Sequence, residues 1–261
     1  MLQQHHLDAA LRAAKKCFTD RFKGASHLFV AGSIMRGEGN PLSDIDLVVV
    51  YPKLERARRE SFITDGLPVE AFVHDRETLA YFVKSDVDSG VPSILHMIGD
   101  GVIISEAPDE AESLQQQMRT ILARGPNPLS GERYDAMRYF LSDLVDDLAA
   151  ERPLDETAAV SAMIYPRLID LVLLGRSQWT GKGKWGPRLL RRTDPALADR
   201  MTKAFQKAVQ GDAAELLALA RQVLDQHGGR YFDGYHVEAP TQARLAAASS
   251  RRPSKSKAQI D

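Results

Sequence analysis

The 261-residue sequence has one cysteine, Cys17, which excludes an internal disulfide and any cysteine-based zinc site. It has almost no net charge, −1 at pH 7, so its overall field draws it neither to nucleic acid nor to an anionic membrane. Any contact with a polyanion must be a local patch. No stretch approaches about 18 uninterrupted apolar residues. The opening MLQQHHLDAALRAAKK carries no apolar run after its charges, and the expectation is a soluble, cytoplasmic protein with no membrane partner. His74 and His96 lack the spaced partners that a zinc site needs, so both read as packing residues. Aromatic residues are absent from the last stretch, APTQARLAAASSRRPSKSKAQID, and residues 237–261 read as a disordered basic tail. No internal repeat is present.

With 44% hydrophobic residues, the chain can build one large core or two modest ones. Leu7, Leu11, Ala14, Phe18 and Phe22 fall at helical spacing, which predicts an amphipathic helix over 7–23, ended by Gly24. Short apolar strands follow at 28–31, 44–51, 67–73 and 101–104. The charged segment 52–62 reads as a loop plus a short helix, and Pro68 predicts that its strand starts at the sheet edge. Helices are expected at 76–85 and 92–99. From Asp109 onward the period is helical throughout, in segments 110–124, 130–151, 155–175, 194–209 and 212–227. Gly125-Pro126-Asn127-Pro128 breaks the run, Ser130 and Asp155 serve as caps, and Pro166 is a kink. The predicted class is an α/β (α+β) unit with a mixed sheet over 1–108, followed by an all-α helical bundle over 109–236.

One stretch concentrates the chemistry: LFVAGSIMRGEGNPLSDIDLVVVY, residues 28–51. Side chains alternate along a strand, so Asp44 and Asp46 share one face about 7 Å apart while Ile45, Leu47 and Val49 point to the other. The plainer account is that the two acids only polarise the start of a half-buried strand. Against it, Asp is disfavoured in strands, and two like charges this close repel by a few kcal/mol at an effective dielectric near 20. A cation would offset that repulsion. Gly32 lets the backbone approach a phosphate closely, and Ser33 offers a hydroxyl and an N–H. A phosphate cradle then stands opposite a pair of metal-binding acids.

The pattern Gly32-Ser33, Arg36-Gly37 and Ser43-Asp44-Ile45-Asp46-Leu47 resembles the nucleotidyltransferase superfamily, which includes DNA polymerase beta and the kanamycin and streptomycin nucleotidyltransferases. The resemblance spans residues 27–74. It implies a third carboxylate on a neighbouring strand, and Glu70 in LPVEAFV stands where many members carry Asp. The alternative is that Glu70 is a solvent-facing residue of an edge strand. The resemblance further implies that Asp44, Asp46 and Glu70 bind two Mg²⁺ ions roughly 3.5 to 4 Å apart, which hold the attacking and leaving oxygens of an in-line displacement. An acceptor hydroxyl would attack the α-phosphorus of ATP or another nucleoside triphosphate and release pyrophosphate. Gly32, Ser33, Arg36 and Ser43 would hold the nucleotide.

The helical half carries Gly181-Lys182-Gly183-Lys184-Trp185-Gly186-Pro187-Arg188-Leu189-Leu190-Arg191-Arg192, five basic residues with no acid. It is not a P-loop, because the spacing is wrong and Gly183 stands where Ser or Thr is needed. In the antibiotic enzymes a lysine from the helical domain reaches the triphosphate. That resemblance assigns the role to Lys184 or Lys182, with Arg188 pairing with the same phosphates; a solvated basic loop anchored by Trp185 is the alternative. Residues 143–156 hold six acids against Arg152 alone. Such a face would suit a polycationic acceptor such as an aminoglycoside, as in antibiotic resistance, or would simply be solvated. The expected function is Mg²⁺-dependent transfer of a nucleoside monophosphate, AMP first, to a hydroxyl of a small molecule. Transfer to protein or RNA, or nucleotide sensing without turnover, are the alternatives.

Overall fold

The computed structural model describes residues 2–241 and 243; of the expected tail over 237–261, residue 242 and residues 244–261 lie outside the described part. Helix α1 (Leu2–Lys16) runs into a π-helical turn at Cys17–Arg21. Strands β1 (His27–Ala31), β2 (Ile45–Tyr51), β3 (Arg58–Thr64), β4 (Leu67–Asp75) and β5 (Val102–Ser105) form one sheet in the order β3-β4-β2-β1-β5. Only the β2–β4 pair is parallel. Helices α2 (Arg76–Ser89) and α3 (Ser93–Gly99) lie between β4 and β5 in the chain. After β5 come α4 (Pro108–Arg124), α5 (Gly131–Ala149), α6 (Leu154–Gly175), α7 (Trp185–Thr193), α8 (Pro195–Ala208) and α9 (Ala214–Gln226).

Alternation divides the sheet between two cores. Leu28, Val30, Ile45, Leu47, Val49, Ala71 and Val73 face Ala10, Ala13, Ala14 and Cys17 on one side. Phe29, Val48 and Val50 face α2, α3 and α4 through Leu79, Ile94, Leu95, Ile98 and Met118 on the other. By the same parity Asp44 and Asp46 belong to the α3 face. The third core lies wholly within α5–α9, where Leu141, Leu168, Leu171, Met201 and Leu224 are fully buried. Helix α6 is long and apolar enough by length and composition to cross a membrane. Its Ile164, Leu168, Ile169, Leu171, Val172 and Leu173 are buried in that third core.

In the segment 52–62, read as a loop and a short helix, residues 52–57 are loop, and strand β3 from Arg58 stands in place of the helix. Its pairing follows from the turn: Asp65 and Gly66 both have positive φ, 51° and 79°, the geometry of a two-residue hairpin that Asp-Gly favours. The hairpin lays β4 between β3 and β2, so Pro68 does not mark an edge strand. Pro68 is tolerated because the β2 ladder begins only at Val69, one residue after the missing N–H. Two capping expectations also change. Ser130 precedes α5 without a side-chain cap bond, and Asp155 lies inside the first turn of α6, behind Pro153. Asp194 does cap α8, accepting from the Leu197 N–H at 3.0 Å.

Candidate active site

Register places the acids. Asp46 stands beside Glu70 on β4 and beside Ala31 on β1, and oxygens of Asp44, Asp46 and Glu70 lie within 4.8 Å of one another. The Asp46 carboxyl is pushed up to about 6, first by burial and then by the charges of Asp44 and Glu70; Arg36 and Arg59 offset only part of this. Glu70 accepts an ion pair from Arg59 of β3, whose guanidinium also lies 5.0 Å from the Phe72 ring centre. Three carboxylates with too little positive charge among them suit hard divalent cations with oxygen ligands, and the donor set fits Mg²⁺.

Gly32 is required by this cluster. A Cβ there would sit 2.5 Å from Asp46 Oδ2, and its φ of +94° is one that side chains rarely adopt. The backbone after β1 therefore passes directly against the acid. The loop then closes on itself: the Ser33 hydroxyl donates to Ser43 Oγ at 3.0 Å, and Ser43 Oγ accepts from the Asn40 N–H at 2.9 Å. The Glu38 N–H reaches the Ser33 carbonyl at 2.8 Å.

A cleft of about 310 Å³ opens over these residues. Gly32, Ser33, Arg36, Asp44 and Asp46 line its floor. Val91, Pro92, Ser93, His96, Met97 and Asp100 line it from the segment around α3, and Thr180, Gly181, Lys182, Lys184, Trp185, Leu189 and Arg192 line it from the helical half. Lys182 and Lys184 thus line the same cleft as Asp44 and Asp46. Arg188 does not line it. It pairs with Glu38 at 3.2 Å, while Arg188 and Arg36 pack on the Trp185 ring at 5.1 and 4.8 Å. Nor is the basic stretch all loop, since from Trp185 it is helix α7. Thr180 fixes the start of the lining from the helical half: its hydroxyl donates to Asp170 Oδ1 at 2.5 Å and its N–H to the Gly90 carbonyl at 2.8 Å. Burial pushes the Asp170 carboxyl up, and the Thr180 bond opposes that. The acidic run of α5 stands outside the cleft, with Asp147 paired to Arg152 and Asp146 to Arg230.

Four residues of the site escape the sequence reading. His96 and Asp100 are joined by a 2.8 Å contact between Nδ1 and Oδ2; their spacing of four on a helix was a legible signal. Arg59 was hidden with its strand. Arg192 was one basic residue among five. A smaller cleft of about 220 Å³ near Arg76 and Glu110 is remote from all of these groups.

A solved structure, a nucleotidyltransferase-like protein from Exiguobacterium sibiricum 255-15, is similar at 13% identity and a TM-score of 0.42, covering 82% of this chain and 74% of that one. Comparison with curated proteins finds no match. Residues 11–149, which hold the whole sheet and the three acids, match the family model described as Nucleotidyltransferase domain. The chain belongs to this family and is a nucleotidyltransferase.

Proposed function

We propose that the protein transfers a nucleoside monophosphate, AMP from ATP in the first instance, to a hydroxyl of a small-molecule acceptor in the cytoplasm, with release of pyrophosphate. The observation that carries this reading is the convergence of Asp44, Asp46 and Glu70 against a glycine where a side chain would be strained and would meet the Asp46 carboxylate. Asp44, Asp46 and Glu70 would hold Mg²⁺, two ions in the full reading, which supplies charge to the reacting phosphate when bound. Glu70, freed from Arg59, stands where it can take the acceptor proton directly or through water. Gly32 and Ser33 offer backbone N–H groups to the far phosphates, with Ser43 bracing the Ser33 hydroxyl. Lys182 and Lys184 close over the triphosphate from the helical half, and Arg36 adds charge at the floor. Arg188 acts at one remove, setting Glu38 and through it the phosphate loop.

In this reading residues 1–108 form the catalytic domain and 109–236 a helical domain that completes the cleft. The acidic run of α5 lends no support to an aminoglycoside, because it is paired with arginines away from the cleft. The test is incorporation of label from α-phosphate-labelled ATP, GTP, CTP and UTP, with Mg²⁺, into separated small-molecule, RNA and protein fractions of a lysate. Label in the small-molecule fraction, lost in the Asp44→Asn, Asp46→Asn double variant, is the expected result. Label confined to RNA or protein would replace the acceptor class. Transfer that survives in the double variant would end the metal-site assignment.

A further inference from the structure

The sheet sets the residues of the site in a row. Glu70 of β4 pairs with Asp46 of β2, which pairs with Ala31 of β1. Val30 pairs with Val102 of β5, so Asp100 and Gly101, which lead into β5, come level with the Gly32 turn. Strands lie about 4.8 Å apart, and the row from β4 to β5 therefore spans roughly 14 Å. An in-line displacement needs the acceptor oxygen, the phosphorus and the leaving oxygen on one line, with the leaving group pointing away from the acceptor. If Glu70 stands at the acceptor end and Gly32-Ser33 at the far phosphates, that line runs from β4 toward β5. His96 and Asp100, both lining the cleft, stand at its end.

This geometry points to a role in the departure of pyrophosphate, resting on the function proposed above. We propose that His96, held by Asp100, receives the pyrophosphate end of the bound nucleotide and donates the proton that the leaving group takes up. The acceptor oxygen forms its bond to the α-phosphorus. The bond from that phosphorus to the bridging oxygen breaks, and its electron pair stays on the oxygen, now terminal on pyrophosphate. The Nε2 proton of His96 passes to an oxygen of the departing pyrophosphate, and the acceptor's own proton leaves at the Glu70 end. Because the side chain is 46% exposed, the ring regains its proton from solvent.

The surroundings suit the task. Nδ1 is committed to Asp100, which leaves Nε2 as the ring nitrogen for a ligand. The hydrogen bond from His96 is the first cause holding the Asp100 carboxyl below its ordinary range, with Arg36 and Arg119 adding to it, so Asp100 remains a carboxylate at working pH. From α2, Asp86 is close enough to feel the charge of His96. Arg36 of the phosphate loop, Lys182, Lys184 and Arg192 line the same cleft as the dyad. Asp100 is on this account a positioning residue, and His96 the group that touches substrate.

Inorganic pyrophosphate with Mg²⁺ is the probe, followed by calorimetry at pH 6 and pH 8 and by the ring resonances of His96, assigned with His96→Gln. In the wild type, pyrophosphate is expected to move the His96 ring resonances. His96→Gln should weaken binding about tenfold at pH 6 and far less at pH 8, the signature of a lost charge-assisted hydrogen bond. Asp100→Asn should reproduce part of that loss and reduce the movement of the His96 resonance. Pyrophosphate that binds, is weakened by Ser33→Ala, yet leaves the His96 resonance unmoved would overturn the inference while leaving the proposed function intact. No binding to the wild type at millimolar pyrophosphate with Mg²⁺ would overturn both. The wild-type resonance decides the matter even if a variant folds poorly.

Discussion

Replacing Asp46 by Asn should make the metal-free protein more stable while destroying the site. The Asp46 carboxyl rises from its ordinary 3.8 to about 6 in the folded chain. At 1.36 kcal/mol per pH unit this disfavours the ionised form by about 3 kcal/mol. Residual solvent contact screens part of that, and about 1 to 2 kcal/mol is the working figure. The sign follows from proton counting. Between pH 4 and 6 the folded chain binds more protons at this residue than the unfolded one, so wild-type stability falls as pH rises through that window and stays reduced above it. Asn carries no such dependence. In EDTA the two proteins should melt together near pH 4 and separate by about 2 to 6 °C in favour of the variant at pH 7.5. With Mg²⁺ the order should invert, because the cation stabilises only the chain that binds it. Melting by differential scanning fluorimetry across pH, with and without Mg²⁺, reads both effects. Equal midpoints at pH 7.5 in EDTA, or an equal Mg²⁺ response from both proteins, would refute the electrostatic account of the cluster.

Three further substitutions probe the rest of the cleft. Gly32→Ala places a Cβ 2.5 Å from Asp46 Oδ2 in a left-handed backbone; it should cost about 1 to 2 kcal/mol in stability and lower Mg²⁺ affinity at least about tenfold by displacing a ligand, both measurable by melting and calorimetry. Lys182→Ala with Lys184→Ala should raise the KM for nucleotide about tenfold or more, with the gap narrowing as salt rises, while the melting temperature stays close to that of the wild type. Thr180→Val leaves the Asp170 carboxyl buried without its hydroxyl partner and should cost about 1 to 3 kcal/mol. Because the Thr180 bond opposes the upward push on that carboxyl, the deficit should widen from pH 4.5 to pH 7; a deficit independent of pH would assign Thr180 a packing role alone.

Much of the sheet was legible because its strands obey local rules. Val48, Val49 and Val50 are β-branched residues buried on both faces, and only a central strand accommodates that pattern. The edge strand β3 was lost for the opposite reason. Exposed on alternating positions, Arg58, Arg59 and Glu60 carry no core signal, and their strand is specified by pairing across the Asp65-Gly66 turn. Asp65-Gly66 was itself a legible hairpin signal in the sequence. Helix α7 escaped similarly: Gly183 and Gly186 argued for a loop, yet Leu190 anchors the segment in the bundle core.

The site divides along the same line. Gly32, Ser33, Asp44 and Asp46 lie on adjacent segments of one β-turn-β unit, so their spacing in the chain already constrains their spacing in space. Glu70 needed one further step, the parallel register of β4 on β2. The rest of the cleft lining needed the whole fold, because no local rule sets His96 and Lys184, 88 residues apart, in one cleft. What couples them is physical continuity. Thr180 is hydrogen-bonded both to the end of α2 and to Asp170 of the bundle, and Glu38 ties the phosphate loop to α7 through Arg188. The Thr180–Gly90 and Arg188–Glu38 contacts join the helical half to the segments around the sheet. A change in how α7 sits must therefore move Lys182 and Lys184 relative to the acids, while the acids themselves, held by strand register, stay where they are.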